Sequence, residues 1–247
     1  MEAEGSNPSR TTSMVKLLDL SRLSPKKLHG LGSDAREKDN HLEALQYLDH
    51  AIVGYQNQSN YEGLIDALKD RTLTWKYYFL LTKDKVYAIL AKKDAESMLE
   101  IAQEKGLKDK LSTSYFRLGE VAMLFADYSK AERYYKKSLD TYIGPLSERG
   151  DFRYHLGEAL YRKGDKERGI RTIVKGLEEI KKGSAEVPDF LTHVWKSGCY
   201  MRLAKLLKND DPARARDYFE KVKKIVELDK RLIIRRRQIR ELEKSLA

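Results

Sequence analysis

The sequence predicts an all-α protein: an array of about five helix–turn–helix units followed by one further helix at the C-terminal end. Three observations carry that prediction. The stretch Ser112 to Ile143, STSYFRLGEVAMLFADYSKAERYYKKSLDTYI, holds two amphipathic helical patterns joined by a turn. One such hairpin cannot bury both of its faces, and a second copy follows at once. Leu118-Gly119-x-x-Ala122, Ala126-Asp127 and Ala131-x-x-x-Tyr135 recur as Leu156-Gly157-x-x-Leu160, Gly164-Asp165 and Gly169-x-x-x-Ile173, all displaced by 38 residues. The composition agrees with an array. There are five prolines, 35% charged residues and no run of alternating apolar residues bounded by turn signals.

Taken in order, residues 2–13 have no apolar periodicity and are expected to be a disordered leader. Gly5-Ser6-Asn7-Pro8 is what GGT-TCG-AAT-CCC encodes, which resembles the conserved arm of a transfer RNA gene. The leader is therefore either a mis-annotated start, with Met14 as the true one, or an ordinary disordered tail. Residues 14–23 form a short lead-in. Ser24-Pro25 then supplies an N-cap and a proline at the first helical position, opening a first repeat over about 25–58. In it Leu28, Leu31, Gly32 and Ala35 precede Ala44, Leu48 and Ala51. Gly32 to Ala44 is the same step of 12 as Gly119 to Ala131 and Gly157 to Gly169.

The second repeat, about 61–106, is longer and more divergent. Leu64, Leu68, Trp75 and Phe79 mark its first helix, and Ala88, Ala95, Leu99 and Ala102 its second, which Gly106 stops. The two clear copies occupy 112–143 and 150–182. In them Gly119 and Ala131 are the small residues at which paired helices approach, with Tyr115, Leu118, Tyr135 and Leu139 filling the space beside them. A fifth pair spans 188–228, opened by Pro188 and, for its second helix, by Asp211-Pro212. Residues 230–247 then place Leu232, Ile239, Leu242 and Leu246 on one face and Lys230, Arg231, Arg235, Arg236, Arg237 and Arg240 around the others. A polar terminal helix is what caps a stacked array and keeps it soluble.

The pattern Tyr115-x-x-Leu118-Gly119-x-x-Ala122, Asp127-Tyr128, Ala131-x-x-x-Tyr135 resembles the tetratricopeptide repeat, in its longer-period variant. Tyr115 stands where the family favours Trp, Ala122 replaces the second aromatic, Ala126 replaces the turn glycine, and the closing proline is displaced to Pro145. The resemblance implies a right-handed α-solenoid whose first helices line a concave groove. Carrying over the family's groove positions gives Lys26, His29, Ser33 and Arg36 in the first repeat. It gives Thr113, Phe116, Glu120 and Met123 in the third, and Asp151, Tyr154, Glu158 and Tyr161 in the fourth. Phe116 with Tyr154 and Met123 with Tyr161 are thus expected to form an aromatic, apolar strip, and Glu120 with Glu158 an acidic stripe. That stripe would repel a carboxylate and favour a segment carrying basic residues.

No catalytic constellation emerges. Five histidines are present, and none pairs with another at metal-binding spacing; there is no phosphate-cradling glycine loop and no nucleophile elbow. Gly30-x-Gly32 lies inside a helical pattern and is read as packing. The single cysteine, Cys199, excludes an internal disulfide and fits a reducing compartment. No cofactor and no metal are expected, no apolar run is long enough to span a bilayer, and a cytoplasmic location follows. The formal charge of +10 is uneven, with 22 basic and 21 acidic residues in 1–143 against 26 and 17 in 144–247. The leading expectation is a non-catalytic scaffold or adaptor that binds a peptide or helix of another protein in its groove. The alternatives are a nucleic-acid-associated repeat protein acting through the basic C-terminal half, and a regulatory repeat protein acting in trans. If residues 1–13 pack against nothing, a protein beginning at Met14 melts at the same temperature as the full chain in a calorimetric scan; a drop of several degrees would show that the leader packs.

Overall fold

The computed structural model describes residues 20–246. The expectations for residues 1–13, and for the lead-in up to residue 19, lie outside the described residues. Among those described there are eleven α-helices and no strand: Pro25–Glu37 (α1), His41–Asn57 (α2), Tyr61–Thr82 (α3), Lys85–Glu104 (α4), Lys108–Leu124 (α5), Tyr128–Asp140 (α6), Leu146–Lys163 (α7), Lys166–Lys182 (α8), Asp189–Leu207 (α9), Pro212–Leu228 (α10) and Ile233–Leu246 (α11). The first ten pack as consecutive pairs, and each pair packs on the next. The protein is an all-α helical repeat array.

Helix starts follow local chemistry. The side chains of Ser24, Asn60, Asp84, Asp127 and Asp211 each accept a backbone N–H in the first turn of the helix they open, and Pro25 and Pro212 occupy first-turn positions that need no donor. The reversals rest on single residues with left-handed backbone. Gly106 (φ 66°) and Gly164 (φ 114°) adopt it without penalty, while Asp39, Ser59, Lys83 and Ala126 adopt it as non-glycine residues. The Ala126 turn, at φ 56°, keeps the geometry for which glycine is favoured.

Interhelical distance is set by residues that lack bulk. A Cβ on Gly119 would lie 2.5 Å from the ring of Tyr135, so that ring fills the space between α5 and α6. In the next pair the contact is between backbones. A Cβ on Gly150 would meet the carbonyl of Gly176 at 2.4 Å, and one on Gly157 would meet that of Gly169 at 2.7 Å. Four glycines, two on each helix and two turns apart, therefore hold α7 and α8 in direct backbone contact. Of the Gly30-x-Gly32 pair only Gly32 packs, against Leu48; a Cβ on Gly30 meets nothing within 4 Å.

The odd-numbered helices touch one another in succession, α1 on α3, α3 on α5, α5 on α7 and α7 on α9, and so line the inside of the curve. Helix α11 buries Leu232 just ahead of it, with Ile234 and Leu242, and packs on α9 and α10. It also reaches the other end of the chain. The Arg237 guanidinium donates from Nε and Nη2 to the two carboxylate oxygens of Asp39, at 2.6 and 3.0 Å, joining residues 198 apart in sequence.

Glycine substitutions test this packing. Gly157→Ala is expected to destabilise the protein by about 1–3 kcal/mol, because the methyl group meets the Gly169 carbonyl and the Ile173 backbone nitrogen as well as the Ile173 side chain, and the backbone atoms cannot give way. Gly30→Ala is expected to stabilise it by roughly 0.5–1 kcal/mol through helix propensity alone. Urea denaturation of the two variants checks both signs, and a neutral Gly157→Ala would show that α7 and α8 can separate at no cost.

Candidate binding channel

The inside of the curve is crossed by buried polar contacts that link each odd-numbered helix to the next. Between α1 and α3, Asp70 accepts a hydrogen bond from the Ser33 hydroxyl at 2.6 Å and lies 2.9 Å from both His29 Nε2 and Arg36 Nη1. Between α3 and α5, the Lys76 ammonium donates to Glu120, which also accepts from Arg117 on its own helix. His155 on α7 places Nε2 3.8 Å from Glu120. Between α7 and α9, Arg202 Nε donates to Glu158 Oε2 at 2.5 Å, and Arg162 Nε donates to Oε1 at 2.9 Å. Between α9 and α11, Arg235 donates to the Ser197 hydroxyl at 3.1 Å and to the Val194 carbonyl at 3.3 Å. The Arg237–Asp39 pair then leads from α11 back to the turn after α1.

Burial and charge act against each other along this ladder. Burial alone would raise the Glu158 carboxyl, but Arg202 and Arg162 more than offset it and hold it at about 2. Glu120 follows the same logic: burial opposes ionisation, and Lys76 and Arg117 keep the carboxyl well below the usual carboxylate range. His155 is neutral, driven down to about 3 by burial and then by Arg202. Burial pushes Asp151 up to about 7, against the hydrogen bond from Tyr154 and reinforced by nearby Glu120.

A cavity of about 260 Å³ opens on this inner face. Lys76, Phe79 and Leu80 of α3, Glu120, Met123 and Leu124 of α5, His155, Glu158 and Arg162 of α7, and Arg202 of α9 line it, with Tyr128 and Tyr135 of α6 behind. Among the described residues no cluster of His, Cys, Asp and Glu is placed to hold a metal ion.

The six groove residues inferred from the repeat pattern separate into two groups. Glu120, Met123 and Glu158 line the cavity together. Phe116, Tyr154 and Tyr161 do not, and the shared aromatic strip does not form. Phe116 is 3% exposed and stacks on Phe152 at 4.2 Å between ring centres, inside the α5–α6–α7 core. Tyr154, also 3% exposed, stacks on His155, and its hydroxyl fills the space that Gly198 leaves on α9. Tyr161 directs its hydroxyl away, to the Leu206 carbonyl at 2.8 Å and to Asp210. The Phe116 and Tyr154 rings fill gaps between successive inner helices and so do not reach the open space.

The acidic stripe is corrected as well. Both glutamates are buried, and four cations, Lys76, Arg117, Arg162 and Arg202, bond to them. The channel is thus basic in balance, because α3 and α9 supply countercharges that the two clear copies do not contain. Lys76 and Glu120 are 44 residues apart, and so are Glu158 and Arg202. Lys76 and Arg202 escape a sequence reading because the divergent second and fifth repeats give no register for their inner faces, while Tyr135 reads as packing beside Gly119 and Ala131 and His155 as one of five histidines without metal-binding spacing.

The C-terminal basic cluster is not a continuous phosphate-facing surface. Arg235 is turned into the channel, Arg236 donates to the Val226 carbonyl, Arg237 is held by Asp39, and Arg231 pairs with Asp229. Only Lys230 and Arg240 of the six are exposed without such a partner. The cause is the fold-back of α11, which spends its arginines on contacts within the chain.

The family profile described as Tetratricopeptide repeat matches residues 112–141. Among solved structures, the chain is similar to a Rap protein complexed with competence and sporulation factor, with a TM-score of 0.59 and 13% identity over 90% of this chain. It spans 65% of that protein's length. It is also similar, at a TM-score of 0.44 and 17% identity, to BtubC from P. vanneervenii, covering 92% of each chain. No curated protein matches the sequence significantly. Residues 112–141 thus carry a tetratricopeptide repeat within an all-α helical repeat array.

Asp151 gives the channel a pH signature. Its folded value of about 7 lies above the ordinary 3.8, so the native state keeps a proton that the unfolded chain gives up between those values. The stability this contributes is fully present below the lower value and is lost as pH rises to the upper one. Asp151→Asn is therefore expected to melt close to wild type near pH 4 and roughly several degrees above it at pH 8. Paired thermal melts across that range measure the difference; a gap that does not change with pH would show that Asp151 is not the titrating group.

Proposed function

We propose that this protein is a non-catalytic interaction scaffold that takes a short segment of another protein into the cavity bounded by α3, α5, α7 and α9. The observation that supports this reading is the cavity itself. It lies on the inner face of a helical repeat array, combines apolar Phe79, Leu80, Met123 and Leu124 with charged side chains, and holds space that the chain's own residues leave unfilled. This combination suits a side chain with a polar group rather than an extended nucleic acid. One structural neighbour, a Rap protein, is complexed with competence and sporulation factor, so an array of this shape is able to hold a partner.

The absence of a catalytic role is inferred from how the reactive groups are used. Cys199 is fully buried and burial raises its thiol, which removes it as a nucleophile. Glu120, Glu158 and Asp70 are each committed to cations. A lone buried thiol also agrees with a cytoplasmic setting, and no described helix is long and apolar enough to cross a membrane.

A photo-crosslinking amino acid tests the reading. Placed at Met123, inside the cavity, it is expected to form adducts with a discrete partner in native extract, insensitive to nuclease. Placed at the exposed Val53 on α2, it is expected to form none. Adducts from Val53 alone would move the partner surface to the outer face, and nuclease-sensitive adducts would revive the nucleic-acid alternative.

A further inference from the structure

The cavity has more hydrogen-bond donors than its own acceptors can use. Both oxygens of Glu120 are taken, one by Lys76 and one by Arg117. Both oxygens of Glu158 are taken, one by Arg162 and one by Arg202. Each of these cations has donors to spare. Lys76 makes one bond to Glu120 with an ammonium that carries three protons. Arg162 uses only Nε, and Arg202 uses Nε and a long 3.4 Å contact to His155 Nε2. Four cations thus face two carboxylates, and His155 between them is neutral.

A second, independent feature points the same way. Tyr135 is 1% exposed as a whole, its ring lying against Gly119, and its hydroxyl end reaches the cavity wall with no hydrogen bond from the chain. The hydroxyl is open to the cavity, where an acceptor on a bound group can reach it. Its closest charged surroundings are Glu120, Glu158 and Arg202, the groups that frame the open space.

We infer that the cavity is an oxyanion subsite, in which a carboxylate or phosphate group on a bound segment accepts hydrogen bonds from Lys76, Arg162, Arg202 and the Tyr135 hydroxyl. This rests on the scaffold reading for the segment, though not for the anion itself. The subsite reverses the expectation from the repeat pattern, in which Glu120 and Glu158 select for basic residues. The glutamates instead hold the cations in place, and the ligand supplies the acceptors still missing. The apolar side chains of Phe79, Leu80, Met123 and Leu124 accommodate the carbon chain that carries the anion.

The test uses the full chain and four probes: a glutamate-containing apolar hexapeptide, its lysine and phosphoserine counterparts, and glutarate alone. The glutamate or phosphoserine peptide is expected to bind at least about tenfold more tightly than the lysine peptide, as two or three charge-assisted hydrogen bonds provide. The better of the two acidic peptides identifies the group. Tyr135→Phe removes only the unpartnered hydroxyl, so it is expected to leave the melting temperature unchanged or slightly raised and to weaken acidic-peptide binding several-fold. Arg162→Gln, at a half-exposed position, is expected to weaken it as well. Equal or tighter binding of the lysine peptide, or full affinity in Tyr135→Phe, overturns the subsite while leaving a segment-binding channel standing. Glutarate that stabilises wild type but not Tyr135→Phe, with no peptide bound, upholds the subsite and overturns the segment reading. Silence from all four probes overturns the subsite.

Discussion

Charges buried on the inside of a curved array have to find their partners on the next helix, and most of this structure follows from that requirement. Asp70, Glu120 and Glu158 lie where water is largely excluded, and a carboxylate there is tolerated only when cations surround it. Ser33 and Arg36, Lys76 and Arg202 reach them from neighbouring inner helices. Hydrophobic contacts between pairs are adaptable in angle and distance. Ionic contacts of this kind are not, because a small change in pitch would strand a desolvated charge. The curvature of the array is therefore fixed from the inside, by polar groups, while the apolar layer between the two helices of each pair supplies cohesion.

The glycine-rich α7–α8 pair shows how backbone spacing serves that inner face. With Gly150 and Gly157 against Gly176 and Gly169, the two helices approach until their main chains touch. Tyr154, His155 and Glu158 then project from α7 toward α9, where Gly198 leaves room for the Tyr154 ring and for Arg235. Bulk removed from one interface is redeployed as aromatic and charged side chains in the next. The third pair solves the same problem differently, with Tyr135 lying flat over Gly119 and carrying its hydroxyl through to the cavity.

The architecture was largely legible because it is local. Ser24-Pro25 and Asp211-Pro212 announce helix starts, Gly106 and Gly164 announce reversals, and the small residues at Gly119, Ala131, Gly157 and Gly169 recur at fixed spacing. The inner face was not legible to the same degree, because its meaning lies between repeats. Glu120 and Glu158 read as an acidic stripe when aligned with each other, yet beside the local Arg117 and Arg162 each takes a second counterion, Lys76 or Arg202, from 44 residues away on a helix of a divergent repeat. Phe116 and Tyr154 occupy positions that face the groove in the family pattern, and here the neighbouring helix closes over them. Arg237 reads as one of six basic residues around the terminal helix, since nothing local in the sequence links it to Asp39.

That last contact changes what kind of object the molecule is. In an open stack each unit knows only its neighbours, the two ends are free, and melting begins at whichever end is weaker. Among the described residues, the Arg237–Asp39 pair ties α11 to the turn after α1 and closes the stack into a loop. Fraying from either end must first break a contact that belongs to both, so the outermost helices share the fate of the middle ones. A spring has become a clasped bracelet, whose inner circumference is set by the clasp as much as by the links.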